Sequence, residues 1–112
     1  MLYYNQRLGD NPIFRKEVHI MITKTKLTFM PHAQATVIID DRNNITLRSY
    51  KTDVAYLDNE GFLTINGLYS MTTRKHIGAF MKEYTPFDFS VAKKCYEGKY
   101  KFNIYTGEIV DL

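Results

Sequence analysis

The chain has 112 residues, 45% of them hydrophobic and 24% charged, with a formal net charge of +3. That length fits one domain and leaves no room for a second core, and that balance excludes a disordered or fibrous chain. The basic excess, with a pI near 8.9, excludes a nucleic-acid mimic, which needs a strongly acidic face.

Residues 1–17 mix aromatic side chains with a Gly9-Asp10-Asn11-Pro12 turn signal and read as a short edge segment followed by a loop. From Glu17 to Phe29 the apolar residues Val18, Ile20, Ile22, Leu27 and Phe29 fall largely on alternate positions, which predicts a strand. Pro31 to Ala35 interrupts it. Thr36 to Asp40 is a β-branched run ending in the turn cluster Asp41-Arg42-Asn43-Asn44, so a hairpin is expected. The return strand runs from Ile45 to Tyr50 and is open to continuation through Val54 to Leu57, before a second turn at Asp58-Asn59-Glu60-Gly61. Phe62 to Ile65 pairs back. The resulting meander has one apolar face that must be covered.

The cover is a helix after Ser70, in which Ile77, Phe80, Met81 and Tyr84 form one apolar stripe and Ser70 or Thr72 caps the first turn. Pro86 ends it near Tyr84. Asp88 or Ser90 caps a second, shorter helix carrying Phe89, Ala92, Cys95 and Tyr96, which Gly98 stops. Tyr100 to Tyr105 returns to a strand pattern, Thr106-Gly107 turns, and Ile109 to Leu112 pairs back. The fold expected is α+β: an antiparallel meander covered by two short helices, with a C-terminal strand.

Chemistry is sparse. His19, His32 and His76 have no metal-ligand spacing, and no Gly-rich phosphate loop or nucleophile elbow occurs, so no cofactor is implied. Ser70, Thr72 and Thr73 read as caps, Asp40-Asp41 as turn chemistry, and the single Cys95 as a buried helix residue. One cysteine, no apolar run of membrane-spanning length and no signal-peptide order at the start predict a cytosolic protein without a membrane partner.

The segment Asn66-Gly67-Leu68-Tyr69-Ser70-Met71-Thr72-Thr73-Arg74-Lys75-His76-Ile77, leading into Phe80 to Tyr84, resembles a family of short uncharacterised proteins from bacteriophages and other bacterial mobile elements. The likeness takes in Ala92 to Glu97 and Asn103 to Glu108, spanning about residues 48–110. The expected layout is one domain over 1–112, with 45–112 as its family-like core and 1–35 as a variable extension where partner specificity resides. The resemblance implies an accessory protein in the cytoplasm of a bacterial host. It carries no activity, although many such small proteins bind a host factor, including inhibitors of CRISPR nucleases.

The residues expected to meet a partner are basic and aromatic. Between 71 and 101, Arg74, Lys75, Lys82, Lys93, Lys94, Lys99 and Lys101 outnumber Glu83, Asp88 and Glu97 by four, and Tyr96 and Tyr100 lie among them. If both helices bury their stripes, these side chains are expected to project outward together. The leading expectation is non-covalent binding to a host protein or ribonucleoprotein effector, as an anti-CRISPR inhibitor. The alternative is a small basic module binding RNA or DNA; an enzyme using His76 with Thr72 or Thr73 is the weakest reading. Exposed strand edges and nine Tyr also raise a homodimer.

Overall fold

The computed structural model describes residues 21–112. The edge segment and turn expected over residues 1–17, the first residues of the strand expected from Glu17, and His19 lie outside that range. Among the described residues seven strands form one antiparallel sheet in chain order: β1 (Thr23–Thr25), β2 (Ala35–Ile39), β3 (Ile45–Ser49), β4 (Thr52–Leu57), β5 (Phe62–Ile65), β6 (Tyr100–Asn103) and β7 (Ile109–Asp111). Helices α1 (Met71–Tyr84) and α2 (Phe89–Gly98) occupy the connection from β5 to β6. The α+β fold expected from periodicity is the fold observed.

Two hairpins are set by the same side-chain device. Asp40 Oδ1 accepts the N–H groups of Arg42 at 2.8 Å and Asn44 at 3.0 Å, and Asp58 Oδ1 accepts those of Glu60 and Phe62, each at 2.9 Å. An Asp carboxylate that satisfies its own turn's donors makes the reversal local. The Asp40 carboxyl is held below the usual carboxylate range, chiefly by the bonds it accepts from Asn44. Gly61, at φ +96, closes the second turn, and a Cβ there would collide with the Tyr105 ring.

Alternation sends Val37, Leu47, Ala55, Leu57, Leu63 and Ile65 to the helix-covered face. Leu47 pairs with Ala55 but Arg48 with Asp53, so Val54 is an extra residue, and Val54 and Ala55 both enter the core from consecutive positions. From α1 come Ile77, Phe80 and Met81, all fully buried, and from α2 Ala92 and Cys95. Each large side chain of that stripe contributes about 1.5–3 kcal/mol by leaving water. Ser70 caps α1 by accepting the Thr73 N–H at 3.1 Å, and Asp88 caps α2 by accepting that of Ser90 at 3.0 Å. Among the described residues both edge strands have three residues and carry Lys24 and Asp111, features that oppose edge-to-edge pairing between copies.

Three local expectations change. The strand expected to reach Phe29 ends at Thr25, because fully buried Leu27 turns in to the core and Thr28 is held by Glu83 of α1 through its N–H at 2.8 Å and its hydroxyl at 2.7 Å. The segment from Ile45 to Leu57 is not one strand. Tyr50, at φ +56, and Lys51 reverse the chain between β3 and β4, a turn with no Gly, Pro, Asn or Asp to announce it. At the end of α2 the left-handed residue is Lys99 at φ +56, and Gly98 is the helix's last residue.

Candidate functional site

Because the strands run antiparallel in chain order, alternate connections fall at the same end of the sheet. One end receives the β2–β3, β4–β5, α1–α2 and β6–β7 connections. These hold Asp40, Asp41, Asp58, Glu60, Asp88 and Glu108, with Arg42 as their one basic residue. The other end receives residues 26–34, 50–51, 66–70 and 99. These hold Lys26, Lys51 and Lys99 and no Asp or Glu of their own, while Asp53, Glu97 and Asp111 flank them on β4, α2 and β7 and Glu83 bonds to Thr28. The first turns of α1 add Arg74 and Lys75 there, with no acidic residue in the first turn to offset the positive end of the helix dipole. The described part of the molecule is thus polarised along its strands, and the basic end favours an anion.

The nine residues expected to act together separate. Arg74, Lys75, Tyr96 and Lys99 lie toward the basic end, with Arg74 half-buried and the others exposed. Lys93 and Lys94 stand exposed on the outer side of α2, opposite its buried Ala92 and Cys95. Lys82, in the last turn of α1, lies apart from them, its Nζ 4.3 Å from the centre of the Phe29 ring. Tyr100 does not join the surface group, since its ring is half-buried and packs on the core. Lys101 projects to the opposite face of the sheet. It alternates with Phe102, whose ring meets Phe87 on the helix side, and its Nζ sits 4.7 Å from the Phe62 ring centre. The shared outward projection expected of these residues therefore fails for Tyr100 and Lys101. Among the described residues the one ion pair in direct contact is Arg48 with Asp53 at 2.7 Å, and Lys94 acts on Asp88 only through its charge.

Beneath the basic end lies a polar cluster. His76 Nδ1 is 2.8 Å from Ser49 Oγ, which is 3.1 Å from Thr73 Oγ1, and Ser70 Oγ donates to Thr73 Oγ1 at 3.2 Å. Ser49 is 2% exposed and His76 1%, so no substrate atom reaches them in this arrangement. Burial lowers the His76 pKa. The cluster satisfies buried polar groups and fixes the start of α1 against the end of β3. The hydroxyl on His76 is that of Ser49, 27 positions away; Thr73 reaches the ring only through it, and Thr72 is exposed. Cys95 is buried as expected, and burial pushes its thiol pKa up to about 11. Among the described residues no three His, Cys, Asp or Glu side chains are grouped to hold a metal ion, and no helix is long and apolar enough to cross a membrane.

A feature missed from the sequence is a polar groove of about 300 Å³ beside Tyr50, lined by Lys24, Thr25, Lys26, Gln34 and Thr36 among others. Its residues come from three separate stretches of chain. Only the unannounced turn at Tyr50 brings the third to the other two.

A family model matches residues 18–101, most of the chain. The chain belongs to this family of unknown function, DUF8033. The match begins well before residue 48, so β1, β2 and the loop between them are part of the family's domain rather than private to this chain. It also takes in the groove, Tyr50 and both helices. No curated protein and no solved structure matches the chain.

Proposed function

We propose that this protein acts by non-covalent binding, and that its basic end takes an anionic partner, a nucleic acid or the nucleic acid of a ribonucleoprotein. The observation that carries the reading is the segregation of charge: no acidic residue in the connections at one end, six at the other. A chain of only +3 overall becomes a stronger anion binder when six of its twelve acidic residues sit in the connections at the far end, leaving Asp53, Glu97 and Asp111 outnumbered at the basic one. The groups at the basic end are Lys26, Lys51, Arg74, Lys75 and Lys99, with Tyr96, Lys93 and Lys94 alongside on α2.

The narrower version is an anti-CRISPR inhibitor of a host defence nuclease, made by a phage or mobile element and active in the bacterial cytoplasm. It is supported by the sequence resemblance, and the basic end suits contact with the RNA of such an effector. Fluorescence anisotropy with labelled oligonucleotides across a salt series tests the broader reading. Binding is expected to weaken with salt, the slope of log K against log salt being about −0.7 per phosphate for a single strand. Absence of binding at low salt contradicts it. A stable complex with a purified effector at moderate salt marks the narrower version.

A further inference from the structure

The groove beside Tyr50 combines three properties. Its lining mixes polar side chains with Ala33 and Ala35, and contains two lysines two positions apart, Lys24 on β1 and Lys26 just after it, and no acidic side chain. Asp53, across the β3–β4 turn, is tied to Arg48 at 2.7 Å. The wall is an aromatic ring: Tyr50 is 55% exposed and rests against buried His76 with ring centroids 5.7 Å apart. The backbone that carries the ring is also held in place. The Tyr50 N–H donates to the Gln34 carbonyl at 2.8 Å, and Ser49 beside it is bonded to Thr73 and His76 of α1.

Tyr50 further stands at φ +56, where a bulky side chain is an outlier and where a turn ordinarily takes Gly or Asn. Such strain is retained where the ring has a use that the backbone does not.

Resting on the anionic-partner reading above, we propose that this groove binds one nucleotide unit of a single-stranded nucleic acid, with the base stacked on the Tyr50 ring and flanking phosphates on Lys24 and Lys26. Stacking on an exposed ring requires a base free of its own stack, which single strands supply and duplexes do not. About 300 Å³ is at the small end for a ligand site, a size for one base rather than a helix. Gln34 and Thr36 offer donors and acceptors to the base edge or sugar.

The test is anisotropy with a labelled uridine or thymidine oligomer and a matching duplex, on wild type, Tyr50→Gly, Tyr50→Asn, Tyr50→Phe and the double variant Lys24→Gln/Lys26→Gln. Gly and Asn both suit the backbone at φ +56, so these variants remove the ring without adding strain, and urea unfolding verifies their fold. The expected result is about tenfold weaker single-strand binding for Tyr50→Gly and Tyr50→Asn, with Tyr50→Phe near wild type. The lysine double variant is expected to reduce the salt slope by about 1.4. Wild-type affinity in Tyr50→Gly and Tyr50→Asn overturns the groove while leaving the basic-end reading standing, as does equal binding of duplex and single strand. If the wild type binds neither oligomer at low salt, both readings fall.

Discussion

At the acidic end of the sheet, Asp40 and Asp58 each accept backbone N–H groups from within their own turn, over separations of two and four residues. At the basic end the β3–β4 turn has no such internal acceptor. It is held from outside, by the Gln34 carbonyl and by the bonds of Ser49 to α1, at separations of 24 and 27 residues. The turns at one end carry their own acceptors, and Asn59 and Asn103 then tie them to one another through Asn44, the Arg42 carbonyl and the Glu60 carbonyl. The other end is made of a turn that the rest of the molecule must hold, with an exposed aromatic at positive φ and lysines around it. The difference teaches where this fold can carry function: local turns fix the register cheaply, and the end with long-range support can present residues chosen for something other than turn formation.

Replacing Lys26, Lys51, Lys75 and Lys99 together by Gln is expected to weaken single-strand binding about a hundredfold at 0.15 M salt if each meets a phosphate. The matching change at the other end, Asp41→Asn with Glu60→Gln and Glu108→Gln, is expected to leave affinity unchanged or slightly improved; equal losses from the two sets would erase the polarity.

Ser49→Ala strips the buried His76 ring and the Thr73 hydroxyl of a shared partner. It is expected to cost about 1–3 kcal/mol in urea unfolding. Asp58→Ala removes a side-chain acceptor from an exposed turn, with an expected loss of about 1 kcal/mol and no change in binding. The smallest effects come from glycine substitution. Tyr50→Gly is expected to stabilise by up to about 1 kcal/mol through relief of positive φ, whereas Asn43→Gly, at φ +65 with a residue suited to it, is expected to change stability by less than about 0.5 kcal/mol. A marked loss of stability in Tyr50→Gly would mean that the ring is there for packing.

Acidity separates the same two ends. The folded-state pKa of His76 is depressed by burial, so the unfolded chain takes up its proton first. Its contribution is complete above the ordinary histidine value of about 6.5 and is lost as pH falls through the depressed folded value. Asp40 and Asp88 also have lowered values, through hydrogen bonds to Asn44 and Ser90, so their contributions persist until pH falls below the ordinary carboxylate value of about 3.9. Stability measured against pH in wild type and His76→Gln is expected to diverge from about pH 6.5 downward. Parallel curves would remove His76 from the account.

Much of the architecture is legible in the sequence because its signals are local. The stripe of Ile77, Phe80, Met81 and Tyr84, the cap at Ser70, and the turns at Asp40 and Asp58 each depend on residues within one or two turns of chain. The Tyr50 turn is not legible, since Ser49-Tyr50-Lys51-Thr52 contains no Gly, Pro, Asn or Asp and long-range bonds hold the reversal. Part of the candidate site is legible as an excess of lysine over residues 71–101, but summing charge along the chain mixes different faces. Lys101 goes to the far side of the sheet and Tyr100 into the packing, while Lys24, Lys26 and Lys51 fall outside that window altogether. An antiparallel meander sends its connections to alternate ends, so counting charge over every second connection makes the polarity readable in the sequence itself.

The most direct measurement is an amide chemical-shift titration of the full chain with a single-stranded oligonucleotide. The largest shifts are expected on residues 24–26, 34–36, 49–52 and 74–75, with the turns at 40–44, 58–61 and 104–108 unmoved. Shifts concentrated on those acidic-end turns, or spread evenly over both ends, would contradict binding at the basic end.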